Sequence, residues 1–319
     1  MTARNAADAP VIGLDLGGTK IAAALVAADG TVLARHCRPT PATEGATAVL
    51  DALAGAARAV RAPGTTAIGV AAAGVIDPAT GTVTSATDTI RDWAGTALAA
   101  GLAARTGLDV ACDNDVRAAA ATELPDPPGN GPGTTMVYAA VGTGVGGAVA
   151  VDGRMLHGAA GVAGHLGHLP SPEADGLPCT CGATGHLEAI AAGPAITAHY
   201  TRTSGLPADR LETVATRAAG GEPHATAAIV LGAEAVGRAL GGLANTLGAD
   251  RVVVGGGVPR IGALYLNALH RAFSAELMAP LRGLRPLPPR GGRDAAVLGA
   301  AALTRTLPLH HPRTPTGAV

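Results

Sequence analysis

The sequence predicts an α/β protein of two lobes with related beginnings. Three observations carry this. The chain has 319 residues, 48% of them hydrophobic, which is ample for more than one core. Runs that read as strands alternate with segments of helical spacing along its whole length. A strand–glycine-turn–strand unit over residues 10–26 recurs over residues 135–151, and such duplication marks two related lobes clasping one nucleotide. The boundaries follow: a first lobe over residues 1–124 completed by a C-terminal helix at 294–306, a larger lobe over 125–293, and a disordered tail over 307–319.

Composition narrows the function classes. The net charge is -1, so no basic field exists to attract nucleic acid or an anionic membrane. Lys20 is the only Lys and the other 22 of the 23 cationic residues are Arg, a bias that suits GC-rich codons and lowers the information in any single Arg. There is no signal-peptide pattern and no 18-residue apolar run free of Gly or charge. Two of the four Cys fall in one short stretch, and a reduced, cytoplasmic setting fits better than a disulfide framework.

Residues 1–9 are short and polar and leave no room for a DNA-binding helix-turn-helix. Residues 10–15 read as a buried strand, Leu16-Gly17-Gly18-Thr19-Lys20 as a tight turn, and residues 21–26 as a second strand. Asp29-Gly30 turns the chain into a third strand, residues 31–36. A Walker A loop instead runs from strand to helix and ends in Gly-Lys-Ser/Thr. Gly17 and Gly18 carry no side chain, so the turn's N–H groups can approach a phosphate, and Asp15 can hold Mg²⁺ through water. An ordinary hairpin turn reads equally well from this segment alone.

Residues 44–61 have amphipathic helical spacing. Residues 67–74 form a strand running into a small-residue turn at Gly74, where a ligand could come close. Ser85 to Asp88 and Trp93 lie in a loop, and residues 96–106 form a helix. Residues 110–115 are a strand ending in Asp113-Asn114-Asp115, followed by a helix at 116–123. Chemistry in open α/β sheets sits at the carboxyl ends of strands. A helix N-cap needs one Asn or Asp, and three polar groups in a row exceed that need.

Residues 125–134 are a Pro/Gly loop and a seam between lobes. After a strand at 135–141, Gly142-Thr143-Gly144-Val-Gly146-Gly147 is a second glycine turn, and residues 148–151 begin another hairpin. Helices follow at 187–200, 209–219 and 223–247. Residues 251–254 are a buried strand leading into Gly255-Gly256-Gly257, where the flat face and ribose of adenosine could lie and a Cβ would clash. Helices at 262–278 and 294–306 complete the chain.

Residues 161–188 concentrate three His, two Cys and two Glu. His168, Cys179, Cys181 and His186 are four ligands of the type and number that a tetrahedral Zn²⁺ takes. Four such ligands within 19 residues of a Cys-poor chain seldom coincide as scattered loop polars.

In this order, Asp15-Leu-Gly-Gly-Thr-Lys20, Asn114-Asp115, Gly142-Thr-Gly-Val-Gly-Gly147, Gly-His-Leu-Gly-His168, Cys179-Thr-Cys-Gly-Ala-Thr-Gly-His-Leu-Glu188 and Val254-Gly-Gly-Gly257 resemble the ROK family of sugar kinases and repressors over residues 10–306. The resemblance implies an actin/hexokinase-like (ribonuclease H-like) fold with a nucleotide cleft between lobes. It implies ATP with Mg²⁺, a structural Zn²⁺, a small-molecule sugar phosphorylated at its 6-hydroxyl, and a homodimer. The repressor branch carries a DNA-binding N-terminus, which residues 1–9 do not supply.

Carried over by position, Asp115 matches the catalytic base. Asn114 and Glu188 match sugar ligands, and His168 matches a residue binding zinc with one ring nitrogen and sugar with the other. Two departures stand out. His186 replaces the family's usual third Cys, and imidazole is a competent zinc ligand. His165 replaces a Glu that receives sugar hydroxyls in glucose kinases, which resembles bacterial N-acetylmannosamine kinases. His165 either sets sugar choice or fills space beside the zinc. Asp88 stands where many members carry a sugar-binding Asn. The leading expectation is N-acetylmannosamine kinase; glucokinase or N-acetylglucosamine kinase, and a non-catalytic sugar sensor, are the alternatives.

Overall fold

A computed structural model of the chain describes residues 9–124 and 134–311. Residues 1–8, most of the 125–134 loop and residues 312–319 of the expected tail lie outside the described residues. The chain divides into two compact units. The described part of the first is 9–124, 158–162 and 290–311; that of the second is 134–157 and 163–289.

The first unit contains β1 (Val11–Leu16), β2 (Lys20–Val26), β3 (Val32–Pro39), α1 (Ala46–Val60), β4 (Ala67–Ala72), β5 (Val75–Asp77), β6 (Thr82–Ser85), α2 (Leu98–Thr106), β7 (Asp109–Asn114) and α3 (Asp115–Ala121). The second contains β8 (Met136–Val141), β9 (Val145–Val151), β10 (Arg154–Met155), α4 (Glu188–Ala191), α5 (Gly193–Ser204), α6 (Leu211–Ala219), α7 (Pro223–Leu247), β11 (Arg251–Gly255), α8 (Ala263–Glu276) and β12 (Pro286–Leu287). The last helix, α9 (Ala295–Thr306), returns to the first unit.

The two large sheets repeat one plan. Their orders are β3-β2-β1-β4-β7 and β10-β9-β8-β11-β12. In each, three strands form an antiparallel meander and two more add in parallel to its first strand. The duplicated strand–turn–strand unit is thus the meander of each sheet.

Glycine governs how closely helices approach these sheets. A Cβ at Gly13 of β1 would stand 2.0 Å from the Val297 carbonyl oxygen, and one at Gly69 of β4 would stand 1.7 Å from that of Ala300. The α9 backbone therefore rests directly on two neighbouring strands. The other core of the unit lies under α1 and α2, where Leu53, Val60, Leu98 and Leu102 pack with Ile12, Leu14 and Ile68. In the second unit α7 crosses α8 equally closely: a Cβ at Gly237 would meet the Leu269 carbonyl oxygen at 2.4 Å. By length and mean hydropathy, 1.4, α7 could cross a bilayer, but 56% of that stretch is buried inside this protein as a core helix.

Several sequence expectations are corrected. The second glycine turn ends at Gly144, and β9 begins at Val145 rather than at residue 148. Gly146 and Gly147 are strand residues, and a Cβ at Gly147 would lie 2.1 Å from Leu166 Cγ, so this glycine serves packing. The helix expected over 187–200 breaks at Ala192, whose ψ is 152°. Pro194 has no N–H to continue the earlier helix but suits the first turn of a new one. The β5–β6 hairpin follows Gly74 and takes in Ser85, the first residue of the expected 85–88 loop. Residues 307–311 are not a loose tail: Leu307 and Leu309 pack on Ala111 and Leu303, and His310 exchanges backbone hydrogen bonds with Val110 on the edge of β7 (2.8 and 3.1 Å).

Substitution at Gly69 tests this close packing. Gly69→Ala should destabilise the protein by at least ~2 kcal/mol, because the neighbouring backbone cannot yield. Gly242→Ala, on α7 with open space around it, should be neutral or stabilising by up to ~1 kcal/mol. Thermal denaturation of both variants checks the contrast, and equal melting temperatures would contradict it.

Candidate active site

Parallel pairing assembles the first cluster. The register sets Asp15 of β1 beside Ala71 of β4, and Ala71 beside Asp113 of β7. The carboxyl ends of the three strands therefore share one sheet edge. Burial and the neighbouring Asp115 charge push the Asp15 carboxyl up to about 6, while Lys20 pulls it down.

The turn after β1 is braced from a distance. Gly17 N–H donates to the Lys20 carbonyl (3.0 Å). Thr40 donates twice, from its hydroxyl to the Gly17 carbonyl (2.7 Å) and from its N–H to that of Thr19 (3.1 Å). A Cβ at Gly18 would lie 2.4 Å from Thr89 Cγ2. The Gly18 and Thr19 N–H groups donate to no partner among the described residues, and Thr19 and Lys20 are exposed. The turn is thus a pre-shaped pair of free donors, which suits an anion.

Asn114 is the N-cap of α3. Its side-chain oxygen accepts from Val116 N–H (3.0 Å) and Arg117 N–H (3.2 Å), and its amide donates to the Gly74 carbonyl (3.0 Å) and to Asp115 Oδ1 (2.9 Å). Both donors and both acceptor sites are engaged within the chain. Asp115 Oδ1 also accepts from Val116 N–H at 2.9 Å, whereas Oδ2 has no hydrogen-bond partner among the described residues. Burial pushes the Asp115 carboxyl up, against the pull of these hydrogen bonds and of the Arg117 charge. Beneath it, buried Asp113 pairs with Arg117 at 2.7 Å, and Arg117 also reaches the Gly161 carbonyl at 3.0 Å. Gly74 has φ +106°, and a Cβ there would stand 2.7 Å from the Ser85 carbonyl oxygen, so its turn requires glycine. Asp88 lies in an exposed turn.

The second unit places its two glycine turns side by side. A Cβ at Gly142 would lie 4.0 Å from Gly257 N, and one at Gly256 (φ +99°) only 2.1 Å from the Val141 carbonyl oxygen. Gly142 N–H donates to the Gly144 carbonyl, and the Ala192 break lets Gly193 N–H reach the Gly142 carbonyl, each at 2.8 Å. The N–H groups of Thr143, Gly144, Gly256 and Gly257 donate to no partner among the described residues.

Glu188 grips this turn. Oε2 accepts from Val145 N–H (2.8 Å), and Oε1 accepts from the Thr180 hydroxyl (2.7 Å). A Cβ at Gly144 would stand 2.5 Å from Glu188 Oε2, so a side chain there would strike this carboxylate as well as fill space for a ligand. Thr143, Cys179, Thr180, Glu188 and Arg202 line a pocket of about 290 Å³ floored by alanines of α5.

The His/Cys stretch folds on itself. Cys179 N–H donates to the Ala183 carbonyl (2.8 Å), Gly182 N–H returns to that of Cys179 (3.0 Å), and Pro170 and Pro178 bridge to His186 and Thr184. One ligand atom each from His168, Cys179, Cys181 and His186 gather within 4.8 Å of one another. Cys179 Sγ is 3.6 Å from His168 Nδ1, and Cys181 Sγ is 3.2 Å from His186 Nδ1. Tetrahedral Zn²⁺ spaces its ligand atoms roughly 3.3–3.8 Å apart, so the two Cys–His pairs are near that spacing, the donor types suit the ion, and the four would draw together by up to about 1 Å to hold it. His165 lies outside the four, its ring stacked near that of His168 with centroids 6.4 Å apart.

Two residues of this arrangement escape sequence reading. Thr40 acts on a turn more than 20 residues earlier, and no local pattern announces it. Thr180 sits between the two Cys, where a hydroxyl in a one-residue spacer is a faint signal.

The sequence profile of the ROK family matches residues 11–306. Glucokinase from Streptomyces coelicolor is 31% identical over 315 residues, covering 92% of this chain and 97% of that one. N-acetylmannosamine kinase from Escherichia coli is 34% identical over 301 residues, covering 92% and 98%. A solved ROK family glucokinase from Streptomyces griseus, in complex with glucose and AMPPNP, is similar with TM-score 0.75 and 30% identity, covering 93% and 99%. The fold is the actin/hexokinase-like α/β fold expected from the motifs.

Removing Asn114 should loosen the first cluster. Asn114→Ala deletes the cap of α3 and the tether to Gly74, and should lower stability by ~1–3 kcal/mol. Asn114→Ser restores part of the cap. Urea denaturation reads the series, and an Asn114→Ala variant within ~0.5 kcal/mol of wild type would contradict the assignment.

Proposed function

Because the chain belongs to the ROK family, we propose that it is a sugar kinase that transfers the γ-phosphoryl group of ATP to the 6-hydroxyl of a hexose or N-acetylhexosamine, with N-acetylmannosamine the preferred acceptor. The observation that carries this reading is Asp115, a carboxylate at a strand end with one oxygen held by Val116 N–H and Asn114 and the other without a partner among the described residues.

In this reading Asp115 Oδ2 takes the acceptor's hydroxyl proton as the alcohol oxygen bonds to the γ-phosphorus. The bond to the leaving phosphate breaks, and its electron pair departs with ADP. Burial that raises the Asp115 carboxyl makes it a stronger base. Positioning and charge supply most of the rate. In the first unit the free donors of Gly18 and Thr19, with Lys20, face phosphate oxygens. In the second, those of Thr143 and Gly144 do the same, and Gly255 to Gly257 offer bare backbone to the adenosine. Mg²⁺, when bound, neutralises phosphate charge, and Asp15 would hold it through water.

His168, Cys179, Cys181 and His186 would hold one Zn²⁺, which ties the loop carrying His168 and Glu188. Asn114, His165, His168, Glu188, Asp88 and the Gly74 turn are the candidate sugar contacts. Glu188 and Asn114 would have to share or exchange their internal hydrogen bonds to serve there. His165 distinguishes the acceptors: a neutral imidazole can donate and accept, which suits an amide beside a hydroxyl, whereas the carboxylate of a Glu only accepts.

The decisive variant is Asp115→Asn, which should reduce kcat by at least ~10²-fold in a coupled ADP-release assay with Mg-ATP while sugar binding persists. Turnover near wild type would remove Asp115 as the base. In the same assay across a sugar panel, wild type should prefer N-acetylmannosamine to glucose in kcat/KM, and His165→Glu should move the ratio toward glucose by roughly 5- to 150-fold. Equal use of both sugars and an unmoved ratio would favour the glucokinase reading. Purified protein should contain one zinc per chain; intact activity without stoichiometric zinc would overturn that site.

A further inference from the structure

The Cys179-Thr180-Cys181 knuckle and the Gly142–Gly144 turn are far apart in sequence, yet one carboxylate joins them. The Thr180 hydroxyl donates to Glu188 Oε1 at 2.7 Å, and Glu188 Oε2 accepts from Val145 N–H at 2.8 Å. Thr180 is exposed, so its hydroxyl is not needed to satisfy a buried core. The knuckle that presents it is fixed by its own backbone bonds, Cys179 N–H to Ala183 and Gly182 N–H to Cys179. Glu188 begins α4 and has freedom to rotate about its side-chain bonds. Without Thr180, Oε1 would lose its protein partner, and the carboxylate would be held on one oxygen only. A Cβ at Gly144 would stand 2.5 Å from Glu188 Oε2, so the same carboxylate lies directly against the turn. Thr143, Thr180 and Glu188 also line one pocket, which places this relay at the edge of space a ligand can enter.

We infer that Thr180 is a positioning residue for the Gly142–Gly144 turn, acting through Glu188. This rests on the reading of that turn as the place of ATP phosphates. Thr180→Val keeps the side-chain shape and deletes the donor; Thr180→Ser keeps the donor.

The test uses the full chain with four measurements: KM for Mg-ATP, direct titration with Mg-AMPPNP, hydrogen exchange at the Val145 amide, and metal content. Thr180→Val should raise the KM for ATP and weaken AMPPNP binding by about 3- to 10-fold, the scale of one hydrogen bond. Val145 exchange should quicken by a similar factor, and the metal content should not change. Thr180→Ser should restore all of these. Unchanged Val145 exchange in Thr180→Val, or a Thr180→Ser variant indistinguishable from it, would overturn the relay. If wild type neither binds AMPPNP nor phosphorylates any sugar, the kinase reading fails, and faster Val145 exchange in Thr180→Val would still support the relay.

Discussion

Parallel pairing of β1, β4 and β7 is the constraint on which the first unit's chemistry depends. It brings the ends of three strands to one edge, so that Asp15, the Gly74 turn and Asp113-Asn114-Asp115 meet although a hundred residues separate the first from the last. Gly13 of β1 and Gly69 of β4 let α9 lie close over these strands, since a Cβ at either would strike its backbone. The second sheet repeats the plan, and its parallel pair β8 and β11 sets Gly142 beside Gly257. Each unit thereby offers turns in which several N–H groups donate to no partner among the described residues, on a frame that fixes where they stand.

Two layers of polar residues support these turns. Thr40 braces the first from outside, and Glu188 with Thr180 braces the second. Asn114 does comparable work for Asp115, holding one oxygen and leaving the other open. Such bracing matters because a donor or carboxylate misplaced by an ångström loses much of its effect on a reacting group.

Much of this was legible in the sequence. The meanders, the glycine turns and the long helix Pro223–Leu247 announce themselves through hydrophobic runs and punctuation, and the His/Cys spacing announces the metal cluster. What was not legible is how atoms are shared. Asn114 reads as one of three polar residues beyond the needs of a cap, yet it is the cap and holds its neighbours as well. Gly146 and Gly147 read as turn residues because glycine marks both turns and tight packing, and only Leu166 lying over Gly147 separates the two uses. Alanine-rich composition hid the Ala192 break, since Gly193-Pro194 was the local sign against a continuous helix. His310 reads as part of a loose tail, yet the open edge of β7 gives its backbone a partner.

The most direct test of the account is the chemistry of the product. Wild-type protein incubated with Mg-ATP and N-acetylmannosamine should yield a phosphomonoester whose phosphorus signal is split by the two protons on carbon 6, with ADP formed in equal amount. A phosphate on the anomeric oxygen, or ATP consumed with only inorganic phosphate formed, would contradict it.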